Sequence, residues 1–158
     1  MHISMDQREI TLVGGRTTAV VVRVGDTVRR PPTANSEFVR SLLRHLEAVG
    51  FNGAPRYLGS DESGREIFSY VTGAVPTELG AHDNDTLRSA ARLIRCYHDA
   101  TASLFTSTAE RVHIEVACHN DLSPCNTVFQ DDRPVAFIDF DAAAPGSRSY
   151  DLGYAAWL

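Results

Sequence analysis

The stretch from Cys118 to Asp141 constrains the fold more than any other part of the chain; it reads CHNDLSPCNTVFQDDRPVAFIDFD. Two short apolar runs flank its polar tetrapeptide QDDR, which predicts a β-hairpin. If the turn is centred between Asp132 and Arg133, Asn126 lies opposite Asp139. Cross-strand partners lie about 4.5–5.5 Å apart at Cβ, so this carboxamide and this carboxylate could bind one Mg²⁺.

Asp121 precedes Asn126 in a loop that contains Pro124. A side chain placed there is free to face a substrate hydroxyl, either as a hydrogen-bond acceptor or as a base. Capping of a turn or helix is the alternative role for this residue. The hairpin and its loop therefore predict a cation site beside a base.

The pattern His119-x-Asp121-x4-Asn126, followed by IDFD at residues 138–141, resembles the catalytic core of the aminoglycoside phosphotransferase-like and choline kinase-like family. Proteins of that family have the protein-kinase fold and transfer the γ-phosphate of a nucleotide to a small-molecule hydroxyl. The resemblance implies that Asp121 accepts the hydroxyl proton and that Asn126 and Asp139 bind Mg²⁺. ATP or GTP is the implied phosphoryl donor.

The same resemblance implies three supporting residues around the loop. His119 would stabilise the geometry of the loop, and Asp151, within SYDLG, would brace it. Asp141 would either assist with the metal or cap the turn that follows it.

The fold class implied by the resemblance is α+β, a two-lobed protein-kinase-like fold. Residues 1–75 are expected to form an N-lobe, an antiparallel sheet with one helix. Residues 76–158 are expected to form a truncated helical C-lobe that carries the catalytic β-hairpin.

Five residues of the N-lobe are candidates for nucleotide binding. The backbone of Gly14 and Gly15, in a turn between strands, can approach phosphates because no side chain intervenes. Arg30 stands where the family usually has a basic strand residue; the alternatives are a solvated arginine on an edge strand, or Arg23 in that role. By resemblance, Tyr70 and Thr72 lie in the hinge that binds the nucleotide base.

Two helices are predicted from apolar residues that recur at the helical period. Asn35 or Ser36 caps the first, which ends at Gly50. Glu37, in its first turn, is favoured as a helix-dipole residue over a partner for the strand arginine, because it lies very early in the helix. The second helix covers residues 86–105, and its His98 is interpreted as a structural hydrogen-bonding residue.

Composition excludes several classes of partner. The chain has 158 residues and a formal net charge of −5, which argues against a nucleic-acid or anionic-membrane partner. Neither a signal peptide nor a spanning segment is recognised, and three cysteines at irregular spacing favour a reduced, cytoplasmic protein. A zinc site at Cys118, His119 and Cys125 matches no usual spacing, so burial is the preferred role of these cysteines.

The last residues run through Tyr154 and Trp157 without a helix-stop signal, and the family's later helices are missing from the sequence. We therefore expect a fragment or a shortened member of the family, whose exposed end would favour a homodimer. Two functions remain open. One is a small-molecule kinase, with a hydroxyl compound as its partner. The other is a catalytically incomplete kinase-like module that binds nucleotide or acts by interaction.

Overall fold

The computed structural model describes residues 8–12, 20–105 and 113–157. The strands are β1 (Glu9–Thr11), β2 (Val22–Val24), β3 (Thr27–Arg30), β4 (Tyr57–Ser60), β5 (Glu66–Ser69), β6 (Val116–Cys118), β7 (Thr127–Gln130), β8 (Arg133–Phe137) and β9 (Ala144–Gly146). The α-helices are α1 (Ser36–Ala48), α2 (Asn84–Ala102) and α3 (Arg148–Trp157). Short 3₁₀ helices cover Ser103–Phe105, Pro124–Asn126 and Phe140–Ala142.

The N-terminal strands form an antiparallel sheet in the order β1-β2-β3-β5-β4. Gly25, at φ +58°, makes the turn between β2 and β3. Strand β3 ends at Arg30, directly before Pro31 and Pro32, because proline has no N–H to donate to the ladder. The register of β3 on β5 places Arg30 opposite Glu66, which brings a basic and an acidic side chain together at one end of the sheet.

Helix α1 packs one apolar face into the core, with Val39, Leu42, Leu43 and Leu46 at most 1% exposed. The predicted side-chain cap is wrong at Asn35. That residue occupies the N-cap position, but its side chain makes no capping hydrogen bond. Its amide instead donates to the carbonyls of Asp141 and Ala143, both at 2.9 Å. Asn35 therefore ties the start of α1 to the segment after Asp139.

The segment between the sheet and α2 is held against the hairpin. Ala74 and Phe129 exchange two backbone hydrogen bonds of 2.8 Å. Gly73 beside them has φ +150°, and a Cβ there would lie 2.5 Å from the Phe129 carbonyl oxygen. Only glycine fits this approach of one backbone to the other.

Helix α2 begins at Asn84, two residues before the predicted start, because Asp83 accepts a hydrogen bond from the Thr86 N–H at 2.7 Å. Strand β6 pairs with β9, and β7 pairs with β8. The predicted hairpin between β7 and β8 is confirmed.

The register of this hairpin differs from the predicted one. Gln130 pairs with Arg133, so the turn consists of Asp131 and Asp132, whose φ values of 48° and 59° are those of a two-residue type I′ turn. A bulge then shifts the pairing, and the Asn126 carbonyl accepts from the Ile138 N–H at 2.9 Å. The residue opposite Asn126 is therefore Ile138, and Asp139 lies one position further along.

One apolar cluster joins the two parts of the chain: Val39, Leu42, Leu43, Leu46, Phe51, Ala54, Phe68, Ile94, Tyr97, Ala117, Leu122, Phe137, Phe140 and Ala143. It packs the inner face of α1 against α2 and the hairpin. The sheet with one helix, followed by a part that carries the hairpin, confirms the predicted α+β class. The division at residue 75 stays a prediction. Among the described residues, none of the helices is long and apolar enough to cross a bilayer.

Candidate active site

Asp151, in the first turn of α3, holds the loop after β6 by hydrogen bonds. This carboxylate is fully buried and accepts from the backbone N–H groups of His119 (3.1 Å) and Asn120 (2.9 Å). Its third donor is Nε2 of His98 on α2, at 2.8 Å. Burial by itself would raise the pKa of Asp151, but these hydrogen bonds outweigh it and the pKa is lowered. The carboxylate therefore stays ionised and holds the loop, and the structural role predicted for His98 is confirmed.

His119 lies inside the core below the loop. Its ring packs 4.5 Å from the Phe140 ring, between centroids, and its Nε2 donates to the Ile138 carbonyl at 3.1 Å. Burial lowers the pKa of His119 to about 4. The imidazole is therefore neutral at pH 7 and links the loop to the strand before Asp139.

Asp121 and Asn126 are joined directly. The Nδ2 group of Asn126 donates to the Asp121 carboxylate at 2.7 Å and to the Asp121 carbonyl at 3.1 Å. The 3₁₀ helix Pro124–Asn126 turns the chain so that the amide can reach back five residues. This bond occupies one carboxylate oxygen of Asp121 and leaves the other oxygen available to a substrate.

Asp139 follows β8 in a left-handed conformation, φ 61° and ψ 66°, which breaks the strand and redirects the side chain. The Arg30 guanidinium lies 3.7 Å from Asp139 and 2.5 Å from Asp141. Burial and the charge of Asp141 raise the pKa of Asp139; Arg30 opposes the shift, and Asp121 adds to it. The charge of Asp121 therefore acts on Asp139. Asp121, its hydrogen-bonding partner Asn126, and Asp139 are together called one electrostatic unit below.

The donors in this unit fit Mg²⁺. Within residues 8–12, 20–105 and 113–157, His, Cys, Asp and Glu side chains form no group of three that could hold a metal. A site here would therefore use the Asp139 carboxylate together with the amide oxygen of Asn126, the atom that its bond to Asp121 does not use. Oxygen ligands with one or two carboxylates are the set Mg²⁺ prefers. Burial is the main cause of the raised pKa of Asp139, and the charge of Asp141 adds to it; a bound cation would favour the ionised carboxylate and offset both effects.

The candidate nucleotide-binding residues have different positions. Gly14 and Gly15 lie outside the described residues. Arg30 points towards Asp139 and Asp141, and its contact with nucleotide stays a prediction. In the hinge, the Tyr70 N–H donates to the Asp26 carbonyl at 2.8 Å and the Thr72 carbonyl accepts from Gln130 at 2.7 Å. These two backbone groups already have partners in the chain.

Three residues near the site were missed from the sequence. Glu66 lies 3.9 Å from the Nε of Arg30, and Arg40 of α1 donates a hydrogen bond to Glu66 at 2.7 Å. The side chain of Asn120 donates to the Ala142 carbonyl at 2.9 Å. Pairing β3 with β5 in the correct register would have indicated Glu66. The other two depend on how a helix and a loop pack, which no spacing in the sequence reveals.

The two cysteines of the considered zinc site are free, and Cys125 is partly exposed. Cys118 is buried, and its thiol donates to the Ser147 carbonyl at 3.3 Å. Burial raises the pKa of Cys118 to about 11, so it stays a thiol.

Part of the chain matches a protein family, and the fold is similar to that of solved structures. Residues 109–158, which contain the loop, the hairpin and α3, match the phosphotransferase enzyme family. A choline/ethanolamine kinase family protein from Mesorhizobium loti superposes with a TM-score of 0.63 at 18% identity, over 98% of this chain and 65% of that one. Macrolide 2′-phosphotransferase from Brachybacterium faecium superposes with a TM-score of 0.60 at 17% identity, over 91% and 69%. The resemblance to the aminoglycoside phosphotransferase and choline kinase-like family, with its protein-kinase-like fold, is confirmed.

Two further proteins are similar to this chain. The trifolitoxin immunity protein of Rhizobium leguminosarum bv. trifolii is 36% identical over 95% of this chain, which spans 61% of that protein's length. An aminoglycoside phosphotransferase in a ternary complex with streptomycin and ATP has a TM-score of 0.54 at 16% identity, over 91% of this chain and 70% of that one.

Proposed function

We propose that this chain carries the donor site of a phosphotransferase that transfers the γ-phosphate of ATP or GTP to a hydroxyl of a small molecule. The observation that supports this proposal most is the electrostatic unit of Asp121, Asn126 and Asp139. Asn126 donates a hydrogen bond to Asp121, the charge of Asp121 acts on Asp139, and Arg30 lies 3.7 Å from Asp139. The ATP in the structurally similar streptomycin complex supports a nucleotide donor. A cytoplasmic location is part of the proposal, and the homodimer stays a prediction.

Each residue has a proposed role that follows from its contacts. Asp121 uses the carboxylate oxygen that does not bind Asn126 to orient the acceptor hydroxyl and to accept its proton. Asn126 and Asp139 would hold Mg²⁺, which when bound offsets the negative charge of the nucleotide phosphates. Arg30 would contact the phosphates, while Asp151 and His119 keep the loop in place. Catalysis in such a site is mainly positioning and electrostatics.

The first test measures nucleotide binding, which needs no acceptor. We expect Mg²⁺ to raise the affinity for ATP in the unmodified chain, measured by calorimetry. The Asp139→Asn variant should bind ATP equally with and without Mg²⁺ and keep a native circular dichroism spectrum. Asp85→Asn, on the exposed first turn of α2, should retain the Mg²⁺ effect. An undiminished Mg²⁺ effect in Asp139→Asn would remove the metal assignment.

The second test measures ADP release in the presence of amino-alcohols, sugars and aminoglycosides. Turnover with one of these classes, lost in Asp121→Asn, would support the kinase. Binding of Mg·ATP without turnover on any acceptor would favour the alternative, a catalytically incomplete module that binds nucleotide or a partner.

A toxin-immunity role is a second candidate function, because the trifolitoxin immunity protein is similar over 95% of this chain. Expression of the chain in a toxin-sensitive strain would test it. Protection that persists in Asp121→Asn would assign immunity to binding, and protection lost in that variant would assign it to phosphoryl transfer.

A further inference from the structure

A second charged cluster, outside the loop, centres on Glu66, the first residue of β5. Glu66 is 0% exposed, and each of its carboxylate oxygens has a close donor. Nε of Arg40 donates to Oε1 at 2.7 Å, and the Ser36 hydroxyl donates to Oε2 at 2.8 Å. Ser36 also accepts from the Thr33 N–H at 2.8 Å. The carboxylate is therefore fixed in place before any ligand arrives.

Arg30 lies between this fixed carboxylate and the candidate metal site. Its Nε is 3.9 Å from Glu66 Oε2, whereas Nη1 and Nη2 lie 3.7 Å and 2.5 Å from Asp139 and Asp141. The Arg30 side chain is only 13% exposed and packs over the Phe68 ring at 4.9 Å. The guanidinium is thus oriented with its inner nitrogen towards Glu66 and its outer nitrogens towards the site.

The acidic partner of Arg30 lies on β5, and α1 contributes a basic residue. Protein kinases supply the acidic partner of the basic strand residue from the helix. Here α1 supplies a second cation, Arg40, and the acidic residue comes from the neighbouring strand. Cross-strand pairing sets the backbone position of Glu66 relative to Arg30, and Ser36 and Arg40 of α1 then hold its carboxylate.

We propose that Glu66 is a positioning residue: it orients Arg30 so that the outer guanidinium nitrogens face the nucleotide phosphates, and Arg40 balances its charge. This proposal rests on the proposed function, because it takes Arg30 as the phosphate contact. Glu66 itself touches neither nucleotide nor acceptor. It acts on nucleotide binding through Arg30.

The test compares ATP with adenosine, because only ATP has phosphates for Arg30 to contact. In Glu66→Gln, which keeps the shape of the side chain, we expect the Kd for ATP to rise about tenfold. The Kd for adenosine should not change. The matched control is Glu47→Gln, which removes the acidic partner of Arg56 at the same distance of 3.9 Å but on an exposed face. That variant should bind both ligands as the unmodified chain does.

Two results would overturn the proposal while the unmodified chain still binds ATP. One is an unchanged Kd for ATP in folded Glu66→Gln; the other is an equal loss for ATP and adenosine, which would indicate general damage to the fold. If the unmodified chain binds no ATP, the proposed function fails instead. The two failures are therefore distinguishable.

A double-mutant cycle tests whether Glu66 acts through Arg30. In an Arg30→Gln background, Glu66→Gln should cost no further ATP affinity, and an equal additional loss would overturn the positioning role. If Glu66→Gln does not fold, because it leaves Arg40 without its buried partner, the pair Arg40→Gln/Glu66→Gln replaces it. That pair removes both charges and should show the same selective rise in the Kd for ATP.

Discussion

Asp151→Asn is the substitution whose effect the structure defines best. The carboxylate accepts three hydrogen bonds, two at Oδ2 from His98 and the His119 N–H and one at Oδ1 from the Asn120 N–H. An asparagine offers one acceptor oxygen, so its amide nitrogen must face at least one of these donors. We expect the oxygen to take the Oδ2 position and the Asn120 N–H to lose its partner.

The magnitude follows from this count of donors. A hydrogen bond to a charged acceptor contributes about 1.5–3 kcal/mol and a neutral one about 0.5–1.5 kcal/mol. At the middle of these ranges, two bonds that become neutral and one that is lost cost about 5 kcal/mol of the free energy of unfolding. Equilibrium urea denaturation, followed by circular dichroism, measures this loss.

The control is Asp99→Asn, an acid on an exposed face of α2 that pairs with Arg95 and Arg148. Its loss should be much smaller, because exposed ion pairs contribute little. Equal losses in the two variants would contradict the role of Asp151 as the brace of the loop. A large loss in Asp151→Asn that left ATP affinity and turnover unchanged would show that the brace serves stability alone.

The remaining predictions concern backbone space and pH. Gly73→Ala should lower the free energy of unfolding by about 1–3 kcal/mol, because its Cβ would lie 2.5 Å from the Phe129 carbonyl oxygen at φ +150°; urea denaturation checks this. Gly80→Ala, with nothing within 4 Å of its Cβ, is the control, and equal stability of the two variants would refute the close approach. His119, with a folded pKa of about 4 against an ordinary 6.5, binds its proton more weakly in the folded state. The unfolded state therefore takes up more protons between these values, and stability should fall as the pH drops from 6.5 to 4, by at most about 1.4 kcal/mol per pH unit. Denaturation of His119→Asn should show a shallower slope in this window, and an unchanged slope would contradict the buried neutral imidazole.

The sequence predicted the parts of the fold that depend on local pattern. Helix α1 buries its periodic apolar residues, and α2 lies within three residues of its predicted range, because each outcome depends on neighbouring residues. The hairpin was predicted correctly as a hairpin but with the wrong register. The left-handed conformations of Asp131 and Asp132 and the later bulge set that register, and alternating polarity does not show them.

The partners of Arg30 show where sequence reasoning stops. The absence of lysine from β3 and the early place of Glu37 left the acidic partner of Arg30 open. The structure supplies Glu66, 36 positions along the chain, through the pairing of β3 with β5. Non-adjacent strand pairing brings the two side chains together, and neither spacing nor composition encodes it directly. Likewise, Asn35 looked like a cap, whereas its donors are used by two carbonyls more than 100 residues away.

The balance of charge around Arg30 links the two halves of the proposed site. The cluster contains four carboxylates, those of Glu66, Asp121, Asp139 and Asp141, and the two guanidinium groups of Arg30 and Arg40. Arg40 is paired with Glu66, whereas Arg30 faces Asp139 and Asp141. Burial and the charge of Asp141 raise the pKa of Asp139, and Arg30 offsets only part of this shift. The excess of two negative charges equals the charge of one divalent cation. A nucleotide that drew Arg30 towards its phosphates would increase this excess at Asp139, so nucleotide and cation should bind more tightly together than either does alone.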